Sequence, residues 1–209
     1  MTGPASRRPL DTRSAPWARA LAARLVAAGI SPNRISAASV GFALLGFLCY
    51  WTAATSGRLA EALLLLLAAA AIQARLLCNL MDGMVAIEGG RASRSGAFWN
   101  EAPDRAADIL LLWGAGLAAH HPALGLGAAS LAVATAYLRE LGRAEGLAPD
   151  FSGPMAKPHR MAALTLGSLI AALYAPAWTL AVTLWIILAG TAITILRRSV
   201  RLRAALGGR

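Results

Sequence analysis

The sequence predicts an all-α membrane protein, with six transmembrane helices preceded by a short interfacial amphipathic helix. Three observations carry this. Of 209 residues, 57% are hydrophobic and 14% charged, against roughly 25% charged in soluble domains, which leaves too little polar surface to wrap a globule in water. Apolar runs recur at close to the roughly 20 residues that a bilayer-spanning helix needs. Proline, glycine and polar residues mark each junction between them. No room is left for a separate soluble catalytic domain, so any chemistry has to sit on the helices themselves.

Residues 1–15 are polar, with Pro, Ser and Arg, and are expected to be disordered or loose on the membrane surface. No apolar core or cleavage site follows them, so no signal peptide is expected. From Pro16 to Ala28, Trp17, Leu21, Leu25 and Ala28 form a helical stripe with Arg19 and Arg24 away from it, the pattern of a helix at headgroup level. Gly29 ends that helix, and Ser31-Pro32-Asn33 has the chemistry of a helix start. Six apolar segments follow, at about 33–54, 59–82, 97–119, 122–143, 157–175 and 178–200. Residues 16–200 thus read as a single transmembrane domain, and 201–209 as a basic cytoplasmic tail.

The formal charge of +10 is spread along the flanks of the apolar runs, which speaks for the positive-inside rule and against nucleic acid. Arg7, Arg8, Arg13, Arg19, Arg24 and Arg34 precede the first span. Arg91, Arg94, Arg139, Arg143, Lys157 and Arg160 lie at the second and fourth connections, and Arg197, Arg198, Arg201, Arg203 and Arg209 near the end. The opposite connections offer Arg58 alone. Both termini and the two longer connections are therefore expected in the cytoplasm. Cys49 and Cys78, both in apolar stretches, are expected to be packing residues.

Ionisable residues inside apolar helices are costly and mark function. Asn79 and Asp82 are three apart, and Asn100, Asp104 and Asp108 four apart, so each set shares a helical face. The short connection is expected to make their helices antiparallel neighbours whose polar faces meet. Oxygen ligands converging there suit a hard cation such as magnesium or manganese. Arg75 and Arg105 are expected either to pair with nearby acids or to snorkel, with no catalytic role, and Glu61 to lie at the surface close to Arg58. His120-His121 reads as an interfacial loop, and Gly125 and Gly127 as a helix-packing surface or dimer seam. Arg139, Arg143, Lys157 and Arg160 form either a site for the phosphate of an acceptor or an ordinary basic flank.

The stretch Asn79-Leu-Met-Asp82-Gly83-Met-Val-Ala86-Ile87, then eight residues, then Gly96-Ala-Phe-Trp-Asn100-Glu-Ala-Pro-Asp104 resembles the signature of the CDP-alcohol phosphatidyltransferase family. That signature is D-x-x-D-G-x-x-A-R followed by G-x-x-x-D-x-x-x-D. Asp82, Gly83, Ala86, Gly96 and Asp104 match it, and Ser31-Pro32-Asn33 is similar to the family's S-P-N opening. Asn79 and Asn100 stand where the family has aspartates, and Ile87 where it has an arginine. In the family the four motif aspartates hold two divalent cations, so the resemblance implies divalent cations held by Asn79, Asp82, Asn100 and Asp104, with Asp104 as the base on the acceptor hydroxyl. It also implies nucleotide contacts at Asn33, Gly83, Ala86 and Gly96, and a homodimer. Glu101 or Asp108 are candidates to replace the missing charges, and Arg91 or Arg94 to replace the missing arginine.

The implied activity is a metal-dependent transfer in phospholipid biosynthesis. A phosphatidyl group passes from a CDP-linked lipid such as CDP-diacylglycerol to an alcohol, and CMP is released. The implied place is the cytoplasmic (inner) membrane of a bacterium. The two asparagines motivate the alternative, a member that binds lipid or nucleotide without turnover.

Overall fold

The computed structural model describes residues 11–89, 95–174 and 178–208. A 3-10 turn at Asp11–Ser14 leads into α1 (Pro16–Ala27), followed by α2 (Pro32–Ala53), α3 (Arg58–Glu88) and α4 (Gly96–Ala118). Then come α5 (Pro122–Ala144), α6 (Lys157–Tyr174) and α7 (Thr179–Gly207). Each expected apolar segment has its helix. Three of them, α2, α3 and α7, are long and apolar enough to cross a membrane.

Two helices outrun the sequence-based bounds. α3 does not stop at Asp82 but continues through Gly83 to Glu88. A mid-helix glycine costs about 1 kcal/mol, and here Met84 and Val85 bury themselves in a cluster with α1, which offsets it. At 1.5 Å per residue α3 is about 46 Å long, some 16 Å more than the hydrocarbon core of a bilayer. The surplus carries Asn79 to Glu88. α7 continues to Gly207, so the stretch read as a tail is helix. The expected break at Ala175-Pro176-Ala177 and the arginines Arg7, Arg8, Arg91, Arg94 and Arg209 lie outside the described residues.

α1 packs on the bundle through small residues beside its apolar stripe. Ala18 and Ala22 are fully buried and Trp17 is 52% exposed. The small alanines let α1 lie flat on Leu80, Met81, Met84 and Val85 of α3, with Leu21 and Leu25 packed alongside. Ser31 caps α2 by accepting a hydrogen bond from the Arg34 amide at 3.4 Å, and Pro32 stands in the first turn, where a missing N–H is harmless.

α2 is the central strut, packing along both α3 and α4, and α5 packs on α4 and α7. α3 and α4 are not packed along their length, contrary to the expectation of direct neighbours. Polar side chains bridge them instead. Tyr50 of α2 reaches Ser168 of α6 with 2.5 Å between hydroxyls, and Gln73 of α3 donates to Thr165 of α6 at 2.8 Å. The two cysteines are free.

Glycines set the closest helix approach. A Cβ on Gly125 would lie 2.6 Å from the Leu112 carbonyl oxygen and 2.8 Å from the Gly116 Cα, while a Cβ on Gly127 would lie 3.4 Å from Leu188. Gly125 is thus taken up by packing within the chain, as the sequence suggests for a helix-packing surface, while Gly127 is half-buried. Gly125→Leu is expected to force α4 and α5 apart at a cost of about 1–3 kcal/mol or more, read as a lower unfolding temperature of the purified protein in detergent. An unchanged temperature would contradict this packing.

Candidate active site

Alternating helix direction gathers the polar residues at one end of the bundle. The starts of α2, α4 and α6 meet the ends of α3, α5 and α7 there, joined by bonds from Ser36 to Asp82, Asn79 to Asp104, Arg139 to Glu101, Arg160 to Asp108 and Arg198 to the Thr135 carbonyl. Up-down topology, rather than any single motif, collects residues as distant in sequence as 36 and 198.

Asp108 lies deepest and is fully buried. One of its oxygens accepts from Arg75 at 2.9 Å and the other from Arg160 at 3.1 Å. Both guanidinium groups are buried as well, so this is a desolvated arginine–carboxylate–arginine unit. Complete burial, with both oxygens held by guanidinium groups, makes Asp108 structural rather than a substitute metal ligand, whereas the Asp104 side chain keeps some exposure. Arg160 also donates to the Met155 carbonyl at 3.0 Å, so it is committed inward instead of to an acceptor phosphate.

Asp104 lies one turn nearer the surface. Arg75 reaches its carboxylate at 3.3 Å and its backbone carbonyl at 3.2 Å, Asn79 donates through Nδ2 to Oδ1, and the Lys157 ammonium holds Oδ2. Lys157 therefore belongs to the motif centre. Asp82 accepts from the Ser36 hydroxyl at 2.8 Å and makes no ion pair among the described residues. Its charge is left for a ligand to meet. Beside it, a Cβ on Gly83 would touch nothing within 4 Å, so the backbone there faces open space. Ala86 and Asn33 are half-buried near the same end, while Ile87 is 63% exposed.

Asn100 is not brought into this group. It is exposed, and its amide donates to Glu101 at 3.2 Å. Glu101 is held by Arg105 at 2.9 Å and by Arg139, which makes it a tie between α4 and α5 rather than a ligand. Arg139 also binds Glu140 at 2.9 Å and lies 5.6 Å from the Phe151 ring centroid, and Arg143 pairs with Glu140 at 3.4 Å. Of the two alternatives for Arg75 and Arg105, the structure shows pairing with acids, and Glu61 pairs with Arg58 at 3.5 Å, as expected from sequence.

Two residues escaped the sequence reading. Ser36 lies one turn after the Ser31-Pro32-Asn33 start, and its inward position was readable from helical spacing. Arg198 looked like one of many flanking arginines, yet it is buried and donates to the Thr135 carbonyl at 2.8 Å and the Ser152 carbonyl at 3.0 Å. It pins the 145–156 connection onto α5. In that connection, partial burial pushes the Asp150 carboxyl up, but the Ser152 hydroxyl and amide, with Arg198 and Arg201, outweigh it and hold it below the usual carboxylate range.

The oxygen chemistry here is of the kind a hard divalent cation takes. Asp82 would offer a carboxylate outside any ion pair among the described residues, Asp104 a carboxylate already held by Arg75, Asn79 and Lys157, and Asn79 an amide oxygen. Among the described residues, no three His, Cys, Asp or Glu side chains converge as an anionic cage.

The helical bundle with a charged centre at one end defines an integral-membrane architecture, and proteins of known structure share it. No protein-family model matches the chain. It is similar to a phosphatidylinositol phosphate synthase of Mycolicibacterium smegmatis, 27% identical over 201 residues covering 90% of this chain and 85% of that protein. The fold is that of the Mycobacterium tuberculosis phosphatidylinositol phosphate synthase. The solved structure of that enzyme with CDP-DAG bound superposes with a TM-score of 0.76, at 20% identity over 90% of this chain and 94% of that one. Its complex with manganese and citrate gives 0.74, at 20% identity over 88% of each chain.

Removing the shared carboxylate at the base of the site leaves the buried Arg160 guanidinium without its anion and Arg75 with Asp104 alone. Asp108→Ala is expected to cost about 3–5 kcal/mol, seen as loss of the monodisperse protein on size exclusion in detergent. A stable, well-folded Asp108→Ala protein would contradict the structural role given to this unit.

Proposed function

We propose that the chain is a CDP-alcohol phosphatidyltransferase of phospholipid biosynthesis, using magnesium or manganese. It transfers a phosphatidyl group from a CDP-linked lipid such as CDP-diacylglycerol to an alcohol. The observation that carries this reading is the union of the two halves of the motif. Asn79 of the first half donates to Asp104 of the second, while Ser36, from the helix that opens with Ser31-Pro32-Asn33, holds Asp82. The similarity to phosphatidylinositol phosphate synthases supports the same reaction class.

In this reading α4, α5 and α6 cross the membrane with α2, α3 and α7. Both termini are cytoplasmic, in the inner membrane of a bacterium, and the chain forms a homodimer. Lipid tails stay in the bilayer while the headgroup reaches the polar end of the bundle, where Gly83 lets a nucleotide approach the backbone. Asp82, Asp104 and the Asn79 Oδ1 hold the cation, which when bound polarises the pyrophosphate and neutralises charge.

Asp104, oriented by Arg75, Asn79 and Lys157, receives the proton of the acceptor hydroxyl. The acceptor oxygen bonds to the phosphorus that carries the lipid. The bridging P–O bond breaks, and its electron pair leaves on CMP. Arg139 and Arg143, at the rim and shared with Glu140, favour a phosphorylated acceptor. Lys157 and Arg160, turned inward, take no part in that contact.

A second reading is favoured by the same geometry. Asp104 already receives Arg75, Asn79 and Lys157, as in a protein that binds a CDP-lipid without turning it over. CMP release by the purified protein distinguishes the two, with CDP-diacylglycerol, a divalent cation and acceptor alcohols supplied one at a time, an inositol phosphate among them. Metal-dependent release that falls about a hundredfold or more in Asp82→Asn and in Asp104→Asn is the expected result. Full activity in both variants would remove the mechanism. Binding of CDP-lipid with no release from any acceptor, reversed by Asn79→Asp with Asn100→Asp, would establish the second reading.

A further inference from the structure

The departures of Asn79 and Asn100 from the motif have a counterpart elsewhere in the chain. Lys157 opens α6, 53 residues beyond Asp104 in sequence, yet its ammonium lies on Asp104 Oδ2 while Asn79 Nδ2 lies on Oδ1. Asp104 is thus approached by two N–H donors at the face where a second motif carboxylate would otherwise share a cation with it. An aspartate at position 79 could not donate that hydrogen bond. It would bring a second negative charge against Asp104 and would need another cation to hold the pair together. Asparagine and lysine together remove that need.

Charge accounting points the same way. Summed over the centre, the three negative charges of Asp82, Asp104 and Asp108 equal the three positive charges of Arg75, Lys157 and Arg160, although of the carboxylates only Asp104 and Asp108 are in ion pairs among the described residues. Arg105 and Arg139 are met by Glu101 and Glu140. One divalent cation added to this neutral centre is balanced by the roughly two negative charges of a bridging pyrophosphate. Two cations would leave an excess of positive charge in a partly desolvated site. Asn100, the other oxygen ligand that two cations would require, is exposed and turned to Glu101.

We infer that the Lys157 ammonium, seated on Asp104 beside Asn79, is a resident counter-charge that stands in for a second divalent cation, so that this centre takes one cation where a four-aspartate motif takes two. This rests on the cation-dependent reading given above. It makes Lys157 a positioning residue that acts through Asp104, and not part of an acceptor-phosphate site.

The test is manganese stoichiometry of the purified full-length chain in detergent, by titration with detection of free Mn2+ by electron paramagnetic resonance. The wild-type chain is expected to bind about one Mn2+, Lys157→Arg to keep about one, and Asn79→Asp combined with Lys157→Met to bind about two. In Lys157→Met alone, CMP release is expected to fall about a hundredfold, with Lys157→Arg restoring part of it. Two Mn2+ on the wild-type chain would overturn the inference without any variant having to fold. A folded double variant that still binds one would overturn it too. If the stoichiometry changes as stated while no acceptor gives CMP, the counter-charge stands and the transferase reading falls, so the two fail separately.

Discussion

Two arginines from different helices share one carboxylate at the base of the polar end, and the geometry above them follows from it. Arg75 of α3 and Arg160 of α6 each hold one oxygen of Asp108 on α4. None of the three is stable alone at that depth, since each buried charge without its partner costs several kcal/mol. Together they tie three helices that are not all packed against one another. Arg75 then has a second task, reaching Asp104 one turn higher. The position of the motif carboxylate is thereby referred to a buried ion network rather than to the surface.

This arrangement accounts for the separation of α3 and α4. α2 lies along both, which leaves room between their polar ends for side chains to meet across a gap. In a direct α3–α4 contact, small residues would be needed and the long Arg75 side chain would have no place. The chain instead uses its close glycine approach between α4 and α5. There no chemistry is needed, and tight packing fixes the tilt of the helix that carries Asp104 and Asp108.

The basic residues divide by partner. Lys157, Arg160 and Arg198 meet the motif carboxylates or backbone carbonyls. Arg139 and Arg143 share Glu140, and Arg139 also holds Glu101. A strongly positive chain can thus carry a centre whose local charge is nearly balanced, with the excess on the flanks where a membrane surface takes it up.

The helical class, the order of the apolar segments and the two halves of the motif were all legible in the sequence, because apolar length, helical periodicity and the spacing of polar residues are local properties of the chain. So was the pairing of Arg58 with Glu61, three residues apart on one helix. Partner choice across the bundle was not legible. Lys157 looked the same as Arg143 in a run of basic residues, Asp108 looked like a spare ligand, and Asn100 looked equivalent to Asn79. Only tertiary structure decided that Lys157 and Asn79 meet at Asp104 while Asn100 faces outward. Those outcomes depend on helix rotation and on α2 standing between α3 and α4, which are set by packing summed over the bundle and are written in no single segment.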